Sequence, residues 1–406
     1  MLISFFCPFY WSAPVDPIAA VELRKTPLNA VHRRLGAKMV NFGGWDMPVE
    51  YPSTGGLLAE HKAVRSGVGV FDVSHMGDIR ISTGRVPGGA LAAVQHITMN
   101  DASKLAIGQA HYSAMLYPAG TFVDDVIVHR LVEDDFLLVI NAGTREKDIH
   151  WVRENTKDFD CRIEELSDAY TQLAIQGPRA AEVLQKLTDV NLSQIKNYWF
   201  THGTVCGLKN TLVARTGYTG EDGFEIYVPG DVATSEAVWD KVTEAGREFG
   251  ILPCGLGCRN TLRLEAKMAL YGHEISETIN VWEAGLNRYC KMEKGDFVGR
   301  AALARAKEAG LSRTLVGLEM VERGIARDEY RCLNDQGEPI GVVTSGSPSP
   351  TLGKNIALAY VPQSMSALGT TVYVEIRTQK AKAQVVATPF YKGVRKSAAQ
   401  STANPA

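Results

Sequence analysis

The segment RTGYTGEDGFE, residues 215–225, decides how the middle of the chain folds. The residues before it, 211–215, and those at its end, 224–228, have the composition of strands. The GEDG sequence between the two runs predicts a hairpin turn in which Gly220 and Gly223 permit positive φ. The segment is therefore expected to be a β-hairpin.

Three carboxylates crowd the end of this hairpin and limit what it can bind. A phosphate cradle is excluded, because Glu221, Asp222 and Glu225 would repel an anion. A calcium loop needs alternating acids, whereas Glu221 and Asp222 are adjacent. If Phe224 and Ile226 face one side of the strand, Glu225 faces the other. There a partly closed site would let it accept two parallel hydrogen bonds from a heterocycle bearing an amine beside a ring N–H. A surface glutamate beside a solvated turn is the alternative.

Helical and alternating patterns are mixed around this hairpin and predict an α+β body. No tandem repeat is visible in the sequence. The helices are expected at about residues 28–39, 57–65, 86–95, 145–157, 235–249 and 259–269. The strands are expected at about residues 110–117, 122–130, 136–141 and 171–175.

The pattern changes after about residue 313 to short strands at regular spacing, which is typical of a small antiparallel barrel or sandwich. We therefore divide the chain into four parts. Residues 1–24 are an N-terminal extension and residues 396–406 a polar tail, both expected to be disordered. Residues 25–312 form the mixed body, and residues 313–395 form the all-β domain.

Composition excludes several classes of protein. Forty-three basic and forty-five acidic residues give a formal net charge of −2, so no field draws the whole molecule to nucleic acid or an anionic membrane. Seven widely spread cysteines fit the reduced thiols of a cytoplasmic protein. Cys254 and Cys258 have no second ligand pair, so no metal site is expected. The sequence contains no apolar segment of transmembrane length and no glycine-rich dinucleotide, Walker, HExxH or GxSxG motif.

Two further residues are candidates for chemistry, and each has a structural alternative. Asp101, in the sequence NDASKL, stands where a helix N-cap would stand, or else presents a carboxylate for proton handling or hydrogen bonding. Arg259 begins a predicted amphipathic helix after Gly255 and Gly257. That helix either lines the core or lets the arginine reach a substrate carboxylate. The residues alone leave both pairs of interpretations open.

Ordered motifs from about residue 25 to residue 392 resemble the T protein of the glycine cleavage system, the aminomethyltransferase family. Each motif alone is weak, whereas the ordered set is specific. The matching segments are NFGGWDMPVEY, GVFDVSHMG, NDASKLAIGQAHYS, DDVIV, AIQGP, RTGYTGEDGFEIYV, GLGCRNTLRLEAKMALYGHEI and TSGSPSPTLGKNIALAYV.

The resemblance implies a three-domain, cloverleaf-like α+β fold around a tetrahydrofolate site, with two interwoven α/β subdomains and a small C-terminal β-barrel. It also implies the reaction. The methylene of an aminomethyl group on the lipoyl arm of H protein passes to tetrahydrofolate with release of ammonia. The products are 5,10-methylenetetrahydrofolate and dihydrolipoyl H protein. Tetrahydrofolate is the co-substrate, lipoate is carried by the partner, and no metal, nucleic acid or membrane is involved.

The family's functional residues carry over by motif. Asp101 corresponds to the catalytic acid and is expected to contact the folate nitrogens that receive the methylene. Near the C-terminus, Lys392 or Arg395 are alternatives to Tyr391 for one further contact. The expected folate contacts are Tyr218, Glu225, Arg259, Tyr112, Met76 and Tyr391.

The chain departs from the family pattern beside Arg259. The usual GLGARDT becomes GLGCRNT, so Asn260 replaces an acid that could orient the arginine, and EAGMP becomes EAKMA with Lys267 in place of glycine. Two alternatives remain: a non-enzymatic folate-binding relative acting as a sensor or iron–sulfur assembly helper, and the folate domain of sarcosine- or dimethylglycine-oxidising flavoenzymes. The joint presence of Asp101, Tyr218 and Glu225 favours the enzyme over the first, and the missing dinucleotide fingerprint disfavours the second.

Overall fold

The computed structural model describes residues 22–393. The expected extension, residues 1–24, lies outside the described residues except for its last three. The expected tail, residues 396–406, and the candidate Arg395 also lie outside them.

The N-terminal elements are a short helix, a two-stranded hairpin and a second helix. The predicted helix over residues 28–39 is wrong in its second half. Gly36 has φ +74°, a conformation that ends the helix, and the chain continues as a strand. These elements are α1 (Asn29–Arg34), β1 (Lys38–Phe42), β2 (Trp45–Glu50) and α2 (Gly56–Ser66).

The first large sheet has five antiparallel strands and carries two helices. Its elements are β4 (Gly77–Thr83), α3 (Gly89–Ile97), β5 (Gln109–Leu116), β6 (Phe122–Val132), β7 (Asp135–Ile140), α4 (Arg145–Thr156) and β8 (Cys161–Glu165). The spatial order is β5-β6-β7-β4-β8. Ala93 on α3 and Val152 on α4 are fully buried against the sheet residues Ile79 and Leu138.

The second large sheet has six strands. Its elements are β3 (Gly69–Asp72), β9 (Tyr170–Gln176), α5 (Ala180–Gln185), β10 (Phe200–Val205), β11 (Leu208–Ala214), β12 (Gly223–Pro229), α6 (Val232–Gly246) and β13 (Leu252–Pro253). The spatial order is β10-β11-β12-β9-β3-β13, in which only the β3–β13 pair is parallel. Val183 on α5 and Trp239 on α6 pack on this sheet against Phe224.

The two sheets repeat one connectivity. The run β4-α3-β5-β6-β7-α4 and the run β9-α5-β10-β11-β12-α6 follow the same order along the chain. In space, β4 joins the three-stranded meander β5-β6-β7 as β9 joins β10-β11-β12. The sequence analysis found no repeat because the two copies share their topology and little of their residue pattern.

The remaining elements are two helices and a closed six-stranded barrel. Helix α7 ends at Glu265, four residues before its predicted end. The barrel order is β14-β17-β16-β15-β18-β19, all antiparallel, so the predicted α+β class with a closing antiparallel barrel is confirmed. The bounds are α7 (Leu256–Glu265), α8 (Arg300–Ala309), β14 (Arg313–Met320), β15 (Arg331–Leu333), β16 (Pro339–Ser349), β17 (Lys354–Pro362), β18 (Thr371–Ile376) and β19 (Gln379–Val386).

A shared apolar cluster fixes the barrel to the body. Leu315 and Leu358 on the barrel strands pack with Leu116 at the end of β5 and with Trp282. The Trp282 indole N–H also donates to the backbone oxygen of Leu303 at 2.8 Å. The barrel therefore closes one side of the space between the two sheets.

Candidate active site

A cavity of about 810 Å³ lies where the two sheets, the segment after α7 and the C-terminal segment meet. A space of this size is typical of a pocket for a small organic molecule. All six residues expected to contact folate line it. They are Met76, Tyr112, Tyr218, Glu225, Arg259 and Tyr391.

Glu225 reaches the cavity from the middle of β12. The strand pairs on one side with β11 and on the other with β9, so that Glu225 lies opposite Ala214 and Ala174. Phe224 and Ile226 are fully buried on the other face, as the alternation predicts. The Thr216 hydroxyl donates to Oε2 of Glu225. Burial raises the pKa of Glu225, although this hydrogen bond and the charge of Arg259 act in the opposite direction.

Arg259 presents an unpaired guanidinium to the same cavity. It lies in the first turn of α7, with Cζ 4.5 Å from the ring centroid of Tyr218. Within residues 22–393 its guanidinium makes no hydrogen bond or ion pair. Burial lowers the pKa of Arg259. A cation in this position keeps all its N–H groups available to a ligand.

Asn260, which replaces the acid of the family pattern, does not contact Arg259 through its side-chain oxygen. Asn260 Oδ1 accepts a hydrogen bond from Nε of Arg263 at 2.8 Å. Neighbouring residues on a helix point about 100° apart, whereas residues three apart share a face. The substituted position therefore belongs to the buried pair of Arg263 and Glu274, which are 2.5 Å apart.

The loop between β11 and β12 is longer than the predicted GEDG turn. It runs over residues 215–222, and of the two glycines only Gly220 has positive φ, +83°. Gly223 is instead needed for close packing, because a Cβ there would stand 2.6 Å from the backbone oxygen of Ile175. The prediction of positive φ at Gly223 is therefore wrong.

Glu221 and Asp222 have structural partners, which explains their presence close to Glu225. Glu221 is buried and lies 2.9 Å from Nη1 of Arg65, whose Nη2 lies 2.7 Å from Glu265. Asp222 receives two hydrogen bonds from Arg215, at 2.8 and 2.5 Å. These ion pairs hold the loop that carries Tyr218.

The C-terminal segment closes the cavity near Arg65. The guanidinium of Arg65 lies 4.2 Å from the ring centroid of Tyr391. The backbone N–H of Tyr391 donates to the backbone oxygen of Glu265 at 2.8 Å. Lys392 lines the cavity beside it.

Asp101 is an N-cap and does not line the cavity. Its Oδ1 accepts hydrogen bonds from the backbone N–H of Ser103 at 3.1 Å, the Ser103 hydroxyl at 2.6 Å and the side-chain amide of Gln95 at 2.7 Å. Its Oδ2 has no partner in the part of the chain that the structure describes. The preceding residue, Asn100, donates to the backbone oxygen of Tyr112 at 2.8 Å, so Asp101 lies beside a strand that does line the cavity.

The environment keeps Asp101 ionised. Burial raises its pKa, but the hydrogen bonds from Ser103 and Gln95 and the positive charge of Lys294 outweigh burial and lower it. Lys294 is held in place by the backbone oxygens of residues 95, 98 and 100. Asp101 is therefore a carboxylate at neutral pH and not a proton donor.

The second copy of the repeated unit contains the same cap without the charge. Asn191 follows α5 as Asp101 follows α3, and its Oδ1 accepts from the backbone N–H and hydroxyl of Ser193 at 3.2 and 2.7 Å. Gln185 accepts from the N–H after the cap, as Gln95 does. An asparagine therefore suffices for this cap, and the charge of Asp101 is not required by the fold.

Asp125 is a cavity residue that the sequence analysis did not single out. It lies on β6 beside Asp124, and the Asn141 amide donates to both carboxylates, at 2.7 and 2.8 Å. Burial and the negative charge of Asp124 raise the pKa of Asp125 to about 7. The alternation along β6, which buries Asp124 and turns Asp125 to the cavity, was the available signal.

Lys267 lines the cavity in a conformation that favours glycine. Its φ is +53°. Its N–H donates to the backbone oxygen of Leu264, and the N–H of Met268 donates to that of Arg263, which together form a Schellman motif at the end of α7. A non-glycine residue there carries roughly 1 kcal/mol of strain. This explains why the family pattern has glycine at the position.

Comparison with known proteins identifies the family. The family model described as GCVT N-terminal domain matches residues 28–294, and the model described as glycine cleavage T-protein C-terminal barrel domain matches residues 313–392. The chain belongs to the glycine cleavage T-protein family. The resemblance drawn from the ordered motifs is confirmed.

Two relatives and one solved structure show how far the similarity extends. The aminomethyltransferase of Acidobacterium capsulatum is 68% identical and covers 94% of this chain and 99% of the relative. The aminomethyltransferase of Koribacter versatilis is 64% identical over 94% of this chain and 100% of the relative. The crystal structure of glycine cleavage system aminomethyltransferase T from Bartonella henselae superposes with a TM-score of 0.84 at 33% identity, covering 91% of this chain and 98% of that one.

This member of the T-protein family is accordingly an enzyme of the aminomethyltransferase type in the glycine cleavage system. Among residues 22–393 no helix is long and apolar enough to cross a membrane. In the same range, no three or more His, Cys, Asp or Glu side chains are grouped so that they could hold a metal ion.

Proposed function

We propose that the enzyme transfers the methylene of the aminomethyl group on lipoyl H protein to tetrahydrofolate. Ammonia, 5,10-methylenetetrahydrofolate and dihydrolipoyl H protein are the products. The observation that carries the proposal is that Glu225 and an unpartnered Arg259 line the same cavity. Among residues 22–393 no side chain forms an ion pair with Glu225 or with Arg259, so a ligand with adjacent N–H donors and separate acceptors suits them best.

The pterin ring of tetrahydrofolate has these groups. Its 2-amino group and the neighbouring ring N–H donate two parallel hydrogen bonds to one carboxylate, that of Glu225. Arg259 donates to acceptor atoms of the folate, and the Tyr218 ring under the guanidinium fixes its plane. Met76 and Tyr112 provide apolar wall on the sheet side.

The transfer moves two protons as well as the carbon. Each of the two folate nitrogens that bond to the methylene loses its proton. One proton goes to the amine that leaves as ammonia, and the other goes to the lipoyl sulfur as its bond to carbon breaks. Positioned carboxylates assist such steps through hydrogen bonding and charge, without a covalent enzyme intermediate.

Two carboxylates of different protonation suit these steps. Asp101 is ionised and lies beside the Tyr112 strand, outside the cavity wall. Its role therefore requires the reacting nitrogens to lie at that edge of the cavity, where the carboxylate would stabilise the positive charge that develops on them. Asp125 has a pKa of about 7, so that it gains and loses a proton near neutral pH. Two acids whose surroundings separate their pKa values divide the work of proton transfer.

Glu225→Gln tests the assigned ligand. The amide keeps the shape but places a donor where the carboxylate accepts, so the affinity for tetrahydrofolate should fall about 30- to 100-fold, equivalent to roughly 2–3 kcal/mol. Isothermal titration measures this, with the exposed Glu277→Gln as the control for loss of one charge. Equal affinity of Glu225→Gln and wild type would remove Glu225 from the site.

The non-enzymatic alternative predicts a different result. A folate-binding relative without catalysis would bind tetrahydrofolate through Glu225 but form no methylenetetrahydrofolate from loaded H protein.

The free thiols at Cys161, Cys206, Cys254, Cys258, Cys290 and Cys332 support placing the enzyme in a reducing compartment, the cytoplasm.

A further inference from the structure

Four Lys or Arg residues line the cavity among the described residues: Arg259, Lys267, Arg288 and Lys392. Lys392 belongs to the C-terminal segment near Arg65, and the other three fall into two groups. Arg259 lies among charged neighbours that include Glu225 and Asp125. The one charge that acts on Lys267 is that of Arg288, which is also positive. Within the described residues, neither Lys267 nor Arg288 forms an ion pair with a carboxylate. The second group is therefore a pair of like charges without a protein counter-ion.

Lys267 and Arg288 lie where the cavity meets solvent. Lys267 is half-buried, and its Nζ lies 3.8 Å from the point where a Cβ would stand on Gly285, an exposed residue that also lines the cavity. Arg288 is exposed and stacks on Tyr289, with Cζ 4.4 Å from the ring centroid. Both side chains thus border the mouth, away from the group around Glu225.

The backbone conformation at Lys267 indicates that the lysine does not stabilise the fold. The position is the left-handed residue of the Schellman motif, for which glycine is the favoured residue. A lysine adopts this conformation under strain, and its ammonium makes no hydrogen bond to any described residue. Burial and the charge of Arg288 both lower the pKa of Lys267, so the site disfavours the ammonium until an anion arrives.

We propose that Lys267 and Arg288 form an anion subsite that binds the carboxylates of the glutamate or polyglutamate tail of the folate. The inference rests on the proposed function, which places the pterin at Glu225 and Arg259. A folate bound there directs its acidic tail to the mouth. An ammonium and a guanidinium that border the same cavity mouth bind carboxylates as charge-assisted hydrogen-bond donors.

The test compares three probes that share the pterin and differ in the tail. Tetrahydropteroate has no glutamate, tetrahydrofolate has one and tetrahydropteroyltriglutamate has three. Anaerobic isothermal titration of the full chain should show tighter binding as glutamates are added. Lys267→Gln keeps a flexible polar side chain, one atom shorter, and removes the charge. It should weaken binding of the triglutamate about tenfold and leave tetrahydropteroate within twofold.

Two glycine variants separate charge from backbone strain. Lys267→Gly restores the favoured residue and should reproduce the tail-specific loss while folding normally. Arg377→Gly is the matched control, because Arg377 is also a basic residue with positive φ, 60°, and is exposed on the barrel turn. It should leave the affinities for all three probes within twofold of wild type.

Each other outcome has a definite meaning. Equal losses for all three probes in Lys267→Gln, or no loss for any, would overturn the subsite. So would a higher KM for H protein with unchanged folate affinities, which would assign the pair to the acidic surface of a protein partner. If wild type bound none of the three probes, the proposed function itself would fail.

Discussion

Asp101→Asn separates the two roles of this residue, the cap and the charge. The cap should survive, because Asn191 makes the same hydrogen bonds with its Oδ1 in the second copy of the repeat. Asn and Asp are about equal as N-caps, so the free energy of unfolding should change by less than about 0.5 kcal/mol. The substitution should, however, remove the negative charge that assists the reaction. The expected fall in kcat is about 10²- to 10⁴-fold, or roughly 3–5 kcal/mol at 1.36 kcal/mol per tenfold.

The assay measures kcat for each variant with aminomethyl-loaded H protein and tetrahydrofolate. Urea unfolding of the same preparations gives the free energy of unfolding. Asn191→Asp is the matched control, because it exchanges the same two groups in the cap that lies away from the cavity. It should change neither kcat nor stability by a measurable amount. A kcat for Asp101→Asn within threefold of wild type would refute the catalytic role. A stability loss above about 2 kcal/mol would refute the equivalence of the two caps.

Two further predictions follow from buried charges. The native state holds the proton of Asp125 up to about pH 7, whereas the unfolded chain releases it near 3.8, so the contribution of this carboxyl to stability is lost as pH rises through that window. Asp125→Asn should therefore gain stability relative to wild type between about pH 4 and 7, by at most about 1.4 kcal/mol per pH unit, as measured by urea unfolding at several pH values; a constant difference would contradict the raised pKa. Arg65→Met removes the shared partner of the buried carboxylates Glu221 and Glu265 and should lower the free energy of unfolding by about 3–5 kcal/mol. The control Arg85→Met removes an exposed arginine and should lower it by less than about 0.5 kcal/mol. Equal urea midpoints for these two variants would show that the Arg65 network contributes nothing.

Much of the fold could be predicted because it depends on local pattern. The strands of the first meander, β5 to β7, and the helices α2 and α4 follow from periodicity that their own residues carry, whereas β10 was not predicted. The errors arose where a single residue overrides the pattern. Gly36 ends α1 by its positive φ although apolar residues continue at helical spacing. The repeat escaped detection because it is a property of strand order, which no single segment records.

Six of the predicted site residues line the cavity, whereas Asp101 does not and Asp125 was not singled out from the sequence. Glu225 could be placed on the face opposite Phe224 and Ile226, because alternation on a strand is a local rule. The partners of the neighbouring acids could not, since Arg65 meets Glu221 from 156 positions away in the sequence. Adjacency in sequence also misled, because Asn260 serves Arg263 on its own helix face and not Arg259 beside it.

The measurement that tests the account most directly is the formation of 5,10-methylenetetrahydrofolate by the purified wild-type chain. Tetrahydrofolate and H protein carrying the aminomethyl-lipoyl group are the substrates, and H protein with unmodified lipoate is the control. The account predicts stoichiometric release of ammonia and formation of methylenetetrahydrofolate with the loaded partner only. Binding of tetrahydrofolate without any methylene transfer from loaded H protein would contradict it.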